Sequence, residues 1–267
     1  METQWSLVLF TVLTGAAGWT LGCVAIDEFI RKTKNDTNFI AAIVAIVLAA
    51  VGGVASVTHL SHPENMLAAL NHPTSGIFTE ALLVGLTALF ALVYLIVLKR
   101  DAGATARKIF AVLAALFGIV LAFAAGASYM MSAQLMWNTP LLPLAYGGTA
   151  MPLGIAVYLL VAQIRGEQDL KLLQTLLIVG GAVAAITGLF YGVATGAAAH
   201  EPLLMWGLVV IVGGVAPALC GWVAAKQPAS ALVLYVVATA AAFIGCAALR
   251  CAMWATSTVV NNFFGML

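Results

Sequence analysis

Apolar residues gather into eight long runs separated by short polar gaps, at about 5–27, 38–58, 76–98, 109–131, 142–164, 171–196, 203–225 and 229–254. Each run is close to the roughly 20 residues that a helix needs to cross the hydrocarbon core of a bilayer. The pattern predicts an all-α membrane protein, a bundle of eight transmembrane helices in a single polytopic domain covering residues 1–267, with no soluble module. One gap carries a pattern of its own. Ser61-His62-Pro63-Glu64 matches a capping box, Met66, Leu67 and Leu70 would line one face, and Pro73 stops the run. This predicts a short interfacial helix between helices 2 and 3, lying apolar side down as a roof over the space beneath.

The charges orient the bundle. Arg31, Lys32 and Lys34 follow the first run, Lys99, Arg100, Arg107 and Lys108 the third, Arg165 and Lys171 the fifth, and Lys226 the seventh, leaving Arg250 as the exception. All four histidines fall in the other gaps. Under the positive-inside rule the odd-numbered gaps are cytoplasmic and both termini extracytoplasmic. A basic stretch ahead of the first run would mark a cleaved leader, but only Glu2 precedes it, so that run reads as a retained, N-out helix. Composition agrees: 63% hydrophobic and 8% charged residues with a mean hydropathy of +1.08 do not suit a soluble surface. A net charge of +1 without a basic run gives no reason to expect nucleic acid binding.

Small residues indicate how the helices pack, because lipid removes the usual hydrophobic drive and close backbone approach must replace it. Gly188, Gly192 and Gly196 recur every four residues on the sixth helix and Gly18 and Gly22 on the first, and both sets read as packing seams. Gly213, Gly214 and Pro217 read as ordinary membrane-helix residues in preference to a kink. Cys23, Cys220, Cys246 and Cys251 lie inside apolar runs without CxxC spacing, so they read as small packing residues. No pair of short broken helices occupies matching halves, so the inverted-repeat transporter signal is missing.

Ionisable groups in hydrocarbon cost several kcal/mol and need a reason. Asp27 and Glu28 sit beside Arg31 and Lys32, where ion pairing and hydration account for them. Glu80 falls about one turn inside the third helix on the outer side, and Arg250 about one turn before the eighth ends. These two are natural partners of each other or natural ligands of one polar guest. The second gap adds His59, Ser61, His62, Glu64, Asn65, Asn71, His72 and Thr74. Its histidine spacing matches no familiar zinc pattern, and no histidine lies near the midplane where a b-haem would be held, so neither metal nor haem is expected.

His59 and Glu80 together offer what a lipid-soluble dihydroxy ring requires. A neutral imidazole can accept a proton from one ring hydroxyl, and a carboxylate can relay the second to water. Arg250 could hold the opposite oxygen, with Trp137, Tyr129 or Trp254 enclosing the ring. The candidate catalytic residues are therefore His59 and Glu80, and the candidate quinol-binding set adds Arg250, Trp137, Tyr129, Trp254 and His72. Taken singly, His62 and His72 are explained by loop solvation. A structural Glu80–Arg250 bridge stands as the competing reading, and with it a non-redox carrier or scaffold.

At these residues the chain resembles the DmsC-type membrane anchor subunits of dimethyl sulfoxide reductase and related molybdenum enzymes. The family's H-L-G-x-P is here His59-Leu60-Ser61-His62-Pro63, and its S-x-E is Phe78-Thr79-Glu80. Trp137-Asn138-Thr139-Pro140 and Arg250 followed by Met253-Trp254 are further echoes. The resemblance implies an anchor in a bacterial cytoplasmic (inner) membrane that oxidises menaquinol at the outer (periplasmic) side. Electrons would pass to a four-cluster, ferredoxin-like iron–sulfur subunit and then to a molybdopterin catalytic subunit, both on the outer face. Carried over by position, His59 and Glu80 are the quinol-site histidine and glutamate, and Arg250 is the terminal-helix arginine. The chain departs from the pattern at Ser61 for a glycine, Cys246 for a glutamate, Ser257 for a histidine, and Asn71 or His72 for an arginine.

With no line of ionisable residues crossing the midplane, quinol protons should leave on the side where the quinol reacts. If the partner consumes protons on that same side, turnover in sealed vesicles is electroneutral. A potential-sensitive dye should stay silent, and a membrane potential built by turnover would refute this.

Overall fold

Lipid offers backbone N–H and C=O groups no partner, so each crossing must satisfy its own hydrogen bonds as a helix. The computed structural model, which describes residues 3–30, 33–58, 60, 62 and 71–257, is helical at each of the eight apolar runs, and these helices are long and apolar enough to cross a membrane. The elements are α1 (Trp5–Ile30), α2 (Asn35–Val57), α3 (Gly76–Lys99), α4 (Ala104–Ala127), α5 (Leu141–Ile164), α6 (Lys171–Ala194), a single turn α7 (Ala197–His200), a π-helical stretch (Leu203–Val215) running into α8 (Ala216–Lys226), and α9 (Ala231–Ala255). No strand occurs among the described residues. Below, the end bearing the histidines is called outer and the end bearing Lys and Arg inner.

Sequence and structure differ in three places. The fourth helix starts at Ala104 and ends at Ala127, earlier at both ends than the apolar run. Gly103 is its N-cap and Arg107 lies in the helix, buried, rather than in a gap. Tyr129 consequently leaves the helix and enters the α4–α5 connection. In the seventh crossing Gly213, Gly214 and Pro217 mark a change of helix type, because the π-helix ends at Val215 and Pro217 sits in the first turn of α8. A proline lacks the N–H that an α-helical bond to residue 213 would need, and wider winding avoids that demand. Gly196 leaves the expected seam as well: its φ of 76° makes it a left-handed turn between α6 and α7, a conformation that a Cβ disfavours. The predicted interfacial helix and its Ser61 cap lie outside the described residues, apart from Leu60 and His62.

α1 packs on α2, α4 and α5, while α5 packs on α6 and α9, so α1 and α5 join two groups of helices through the centre of the protein. The join depends on missing side chains. A Cβ on Gly18 would overlap the Gly118 carbonyl of α4, and a Cβ on Gly154 of α5 would lie 2.6 Å from the Ala16 carbonyl of α1. The buried residues divide by depth. Toward the inner end alanines such as Ala41, Ala45, Ala114 and Ala238 surround Tyr94, Tyr158 and Tyr235. Toward the outer end Trp137, Tyr146, Tyr191, Met253 and Trp254 fill the space between α1, α5, α9 and the α4–α5 connection.

Gly18→Val should therefore prevent the approach of α1 to α4 and remove most folded protein from detergent extracts. Gly85→Ala, at a position with nothing within 4 Å of an added Cβ, should behave as the parent. Size-exclusion recovery of the two variants measures the contrast, and a monodisperse Gly18→Val protein would disprove the seam.

Candidate functional site

The outer end of α3 is set by its first residues. Ser75 caps the helix, its hydroxyl accepting from the Phe78 N–H at 3.1 Å. Gly76 follows so closely against α4 that an added Cβ would lie 2.9 Å from the Ser128 side chain. One turn further in, the half-buried Glu80 carboxylate lies close to the Ser128 hydroxyl, whose single proton is directed to the Ala124 carbonyl at 3.1 Å. Tyr129 is the next residue. Burial pushes its phenol well above the usual range; the negative charge of Glu80 adds to the rise and Arg250 opposes it. A phenol kept protonated in this way is a fixed hydrogen-bond donor at the rim.

Behind the rim the rings interlock. Tyr129 meets Trp137 at 6.1 Å and 88°, Trp254 at 6.1 Å and 79°, and Tyr146 at 5.8 Å. Trp137 and Trp254 meet edge to face at 5.0 Å, the geometry favoured by the ring quadrupole. Polar handles hold the rings: the indole of Trp137 donates to the Met253 carbonyl at 2.9 Å and the Tyr146 hydroxyl contacts the Met253 sulfur at 3.2 Å. Three aromatic residues expected at the site, Tyr129, Trp137 and Trp254, thus meet in one cluster. Tyr146 joins them unannounced by any motif, detectable only as the tyrosine one turn into α5.

Arg250 closes the cluster from beneath. Its guanidinium carbon is 4.2 Å from the centroid of the Tyr146 ring. Nε donates to Thr11 Oγ1 at 3.1 Å, Nη1 to Thr149 Oγ1 and the Cys246 carbonyl at 2.9 Å each, and Nη2 to the Tyr146 carbonyl at 3.2 Å. Glu80 is not among these partners, so the structural bridge that stood as the competing reading is absent among the described residues; Tyr129 feels the charge of both. His72 is exposed in the turn ahead of α3, where its carbonyl accepts from Ser75 N at 3.0 Å, and His62 is exposed as well. His59 lies outside the described residues.

The inner end holds a cluster that sequence reasoning passed over. Asp27 and Glu28 are fully buried, not hydrated as expected from their basic neighbours. Asp27 accepts from the Thr33 N–H at 3.2 Å, the Thr33 hydroxyl at 2.7 Å and Asn38 Nδ2 at 2.8 Å, and Tyr158 donates to Asn38 Oδ1 at 2.6 Å. Glu28 accepts from the Tyr94 hydroxyl at 2.8 Å and lies 3.9 Å from Arg107 Nε. Glu167, in the α5–α6 connection, accepts from the Lys34 N–H at 2.9 Å and from the Thr37 hydroxyl, supplying from across the bundle the cap that α2 lacks locally. The available signal was polar residues at the inner ends of four helices, Asp27, Asn38, Tyr94 and Tyr158, which the charge pattern alone does not separate from solvated ends. Among the described residues no group of His, Cys, Asp and Glu is arranged to hold a metal ion.

A profile of the DMSO reductase anchor subunit (DmsC) family matches residues 1–201. The chain belongs to that family. No curated protein matches it at a comparable level. The matched segment carries the DmsC resemblance at His59, Glu80 and Trp137, whereas Arg250 and Trp254 lie beyond it. As a member of the DmsC family the chain is a membrane anchor subunit of the dimethyl sulfoxide reductase type, and the eight apolar helices among its described residues make it multi-pass.

The inner cluster predicts that Asp27→Ala, which strands three donors in a buried site, lowers stability by about 2–4 kcal/mol, while Asp27→Asn loses less. Thermal unfolding in detergent reads the difference, and equal melting of both variants with the parent would contradict the buried network.

Proposed function

We propose that this anchor subunit oxidises a quinol, menaquinol by family resemblance, at the outer end of α2 and α3. It then hands the electrons to an iron–sulfur subunit that serves a molybdopterin catalytic subunit. The observation that carries the reading is the Glu80 carboxylate one turn into α3, close to Ser128 and Tyr129, on the rim of a cluster of four aromatic rings. A flat ring with two hydroxyls needs an apolar wall and two proton acceptors at its edge. The aromatic cluster offers the wall, Glu80 one acceptor, and His59, at the start of the gap that leads into α3 in sequence, the other.

The chemistry is balanced by what leaves the ring. Oxidation of one quinol to quinone releases two protons and two electrons. His59 takes one proton from a ring hydroxyl, Glu80 takes the other, and both pass to water on the outer side. Tyr129, held protonated, donates to a ring oxygen and orients it. The two electrons pass one at a time to the nearest cluster of the docked partner.

The α4–α5 connection is the natural docking surface, since Met130, Met131 and Leu135 are exposed there, Leu135 to 73%, beside Trp137 and Tyr129. Exposed apolar side chains outside the spans mark a partner site, and methionines suit an adaptable contact.

Glu80→Gln and His59→Ala should each lower quinol-dependent reduction by about a hundredfold or more while artificial donors still reduce the catalytic subunit and the complex stays assembled. Membrane assays with a quinol and with reduced viologen separate the two activities. Unimpaired quinol oxidation in both variants would return the chain to the class of non-redox scaffold or carrier.

A further inference from the structure

Arg250 is buried to 1% exposure in the outer half of α9. Four of its five N–H groups are used, and every acceptor is neutral: two threonine hydroxyls and two backbone carbonyls. No carboxylate lies within ion-pair distance of it among the described residues. The hydrogen bonds tie α1, α5 and α9 together, but a neutral amide at this position would tie them with far less loss of hydration. A charge that hydrocarbon penalises by several kcal/mol requires a separate reason.

That reason lies in the direction of its field. The guanidinium stacks on Tyr146, Tyr146 touches Tyr129, and Tyr129 stands beside Glu80. The cation is therefore separated from the proposed quinol site by the packed rings of Tyr146 and Tyr129. In such a medium a unit charge still acts strongly across about 10 Å. We infer that Arg250 is a buried, uncompensated cation whose field makes the outer site select the anionic form of its ring ligand, the singly deprotonated quinol, without touching that ligand. This inference rests on the quinol reading above. The step it favours is transfer of the first hydroxyl proton from quinol to the Glu80 carboxylate at the rim, leaving an anion from which the first electron departs more readily. Arg250 is thus a positioning residue for charge.

The test uses the intact complex and two ring analogues, a hydroxynaphthoquinone whose hydroxyl is ionised at neutral pH and its neutral methyl ether. The parent should bind the anion about tenfold more tightly than the ether. Arg250→Met, close in length but uncharged, should lose that preference while keeping its affinity for the ether. Its quinol oxidation should need a pH about one unit higher to reach the same fraction of its maximum. Arg250→Lys, which keeps the charge and loses the fork, should retain most of the preference. Equal weakening of both analogues in Arg250→Met would mean that the arginine only holds helices together, and the inference falls. If Arg250→Met does not assemble, the parent and Arg250→Lys decide the matter, because equal binding of the two analogues by the parent also overturns it. If neither analogue binds the parent, the quinol reading itself has failed.

Discussion

Contact between α1 and its neighbours at backbone distance is the constraint from which the rest follows. Gly18 of α1 faces Gly118 of α4, and Gly154 of α5 lies against Ala16 and Trp19 of α1. In a bilayer no gain from apolar burial draws helices together, so such approach is what allows dispersion and short hydrogen bonds to hold them. Thr20 shows the benefit, as its hydroxyl lies 3.1 Å from the Gly154 carbonyl. With α1 and α5 this close, Thr11 and Thr149 come within reach of one guanidinium from α9, and the outer aromatic layer has a floor to rest on.

The two ends of the bundle solve the problem of buried polarity differently. At the inner end, Asp27 and Glu28 are surrounded by donors from α2, α3, α4 and the α1–α2 turn, a network that fixes how the first helices meet. At the outer end the polar groups are fewer and alternate with rings: Glu80 at the rim, Tyr129 and Tyr146 behind it, Arg250 at the back. The first arrangement is closed and suits structure. The second leaves Glu80 and Tyr129 only partly covered.

Much of this was legible in the residues. The eight crossings follow from run length, and Glu80 was singled out because a carboxylate one turn inside a membrane helix is costly. Tyr129, Trp137 and Trp254 were named as ring-enclosing candidates, although their meeting point depends on a loop that the hydropathy pattern had absorbed into the fourth helix. What could not be read was depth within the bundle. Asp27 beside Arg31 and Glu80 beside Ser75 look alike in sequence, since periodicity shows which face is apolar but not which neighbour covers the other. The π-helical winding of Leu203–Val215 was hidden for a related reason: glycine and proline tell where regular winding is at risk, not which alternative replaces it.

The bonds of Arg250 join residues that are synthesised far apart in time. Thr11 belongs to the first crossing and Arg250 to the last, 239 positions later. While the chain is being made, the final helix enters the bilayer with a guanidinium in its outer half, and three of the four acceptors it finally uses, on Thr11, Thr149 and Tyr146, exist for it only once α1 and α5 have come together. The guanidinium therefore reaches its full set of partners only when the carboxy-terminal helix meets crossings made long before it.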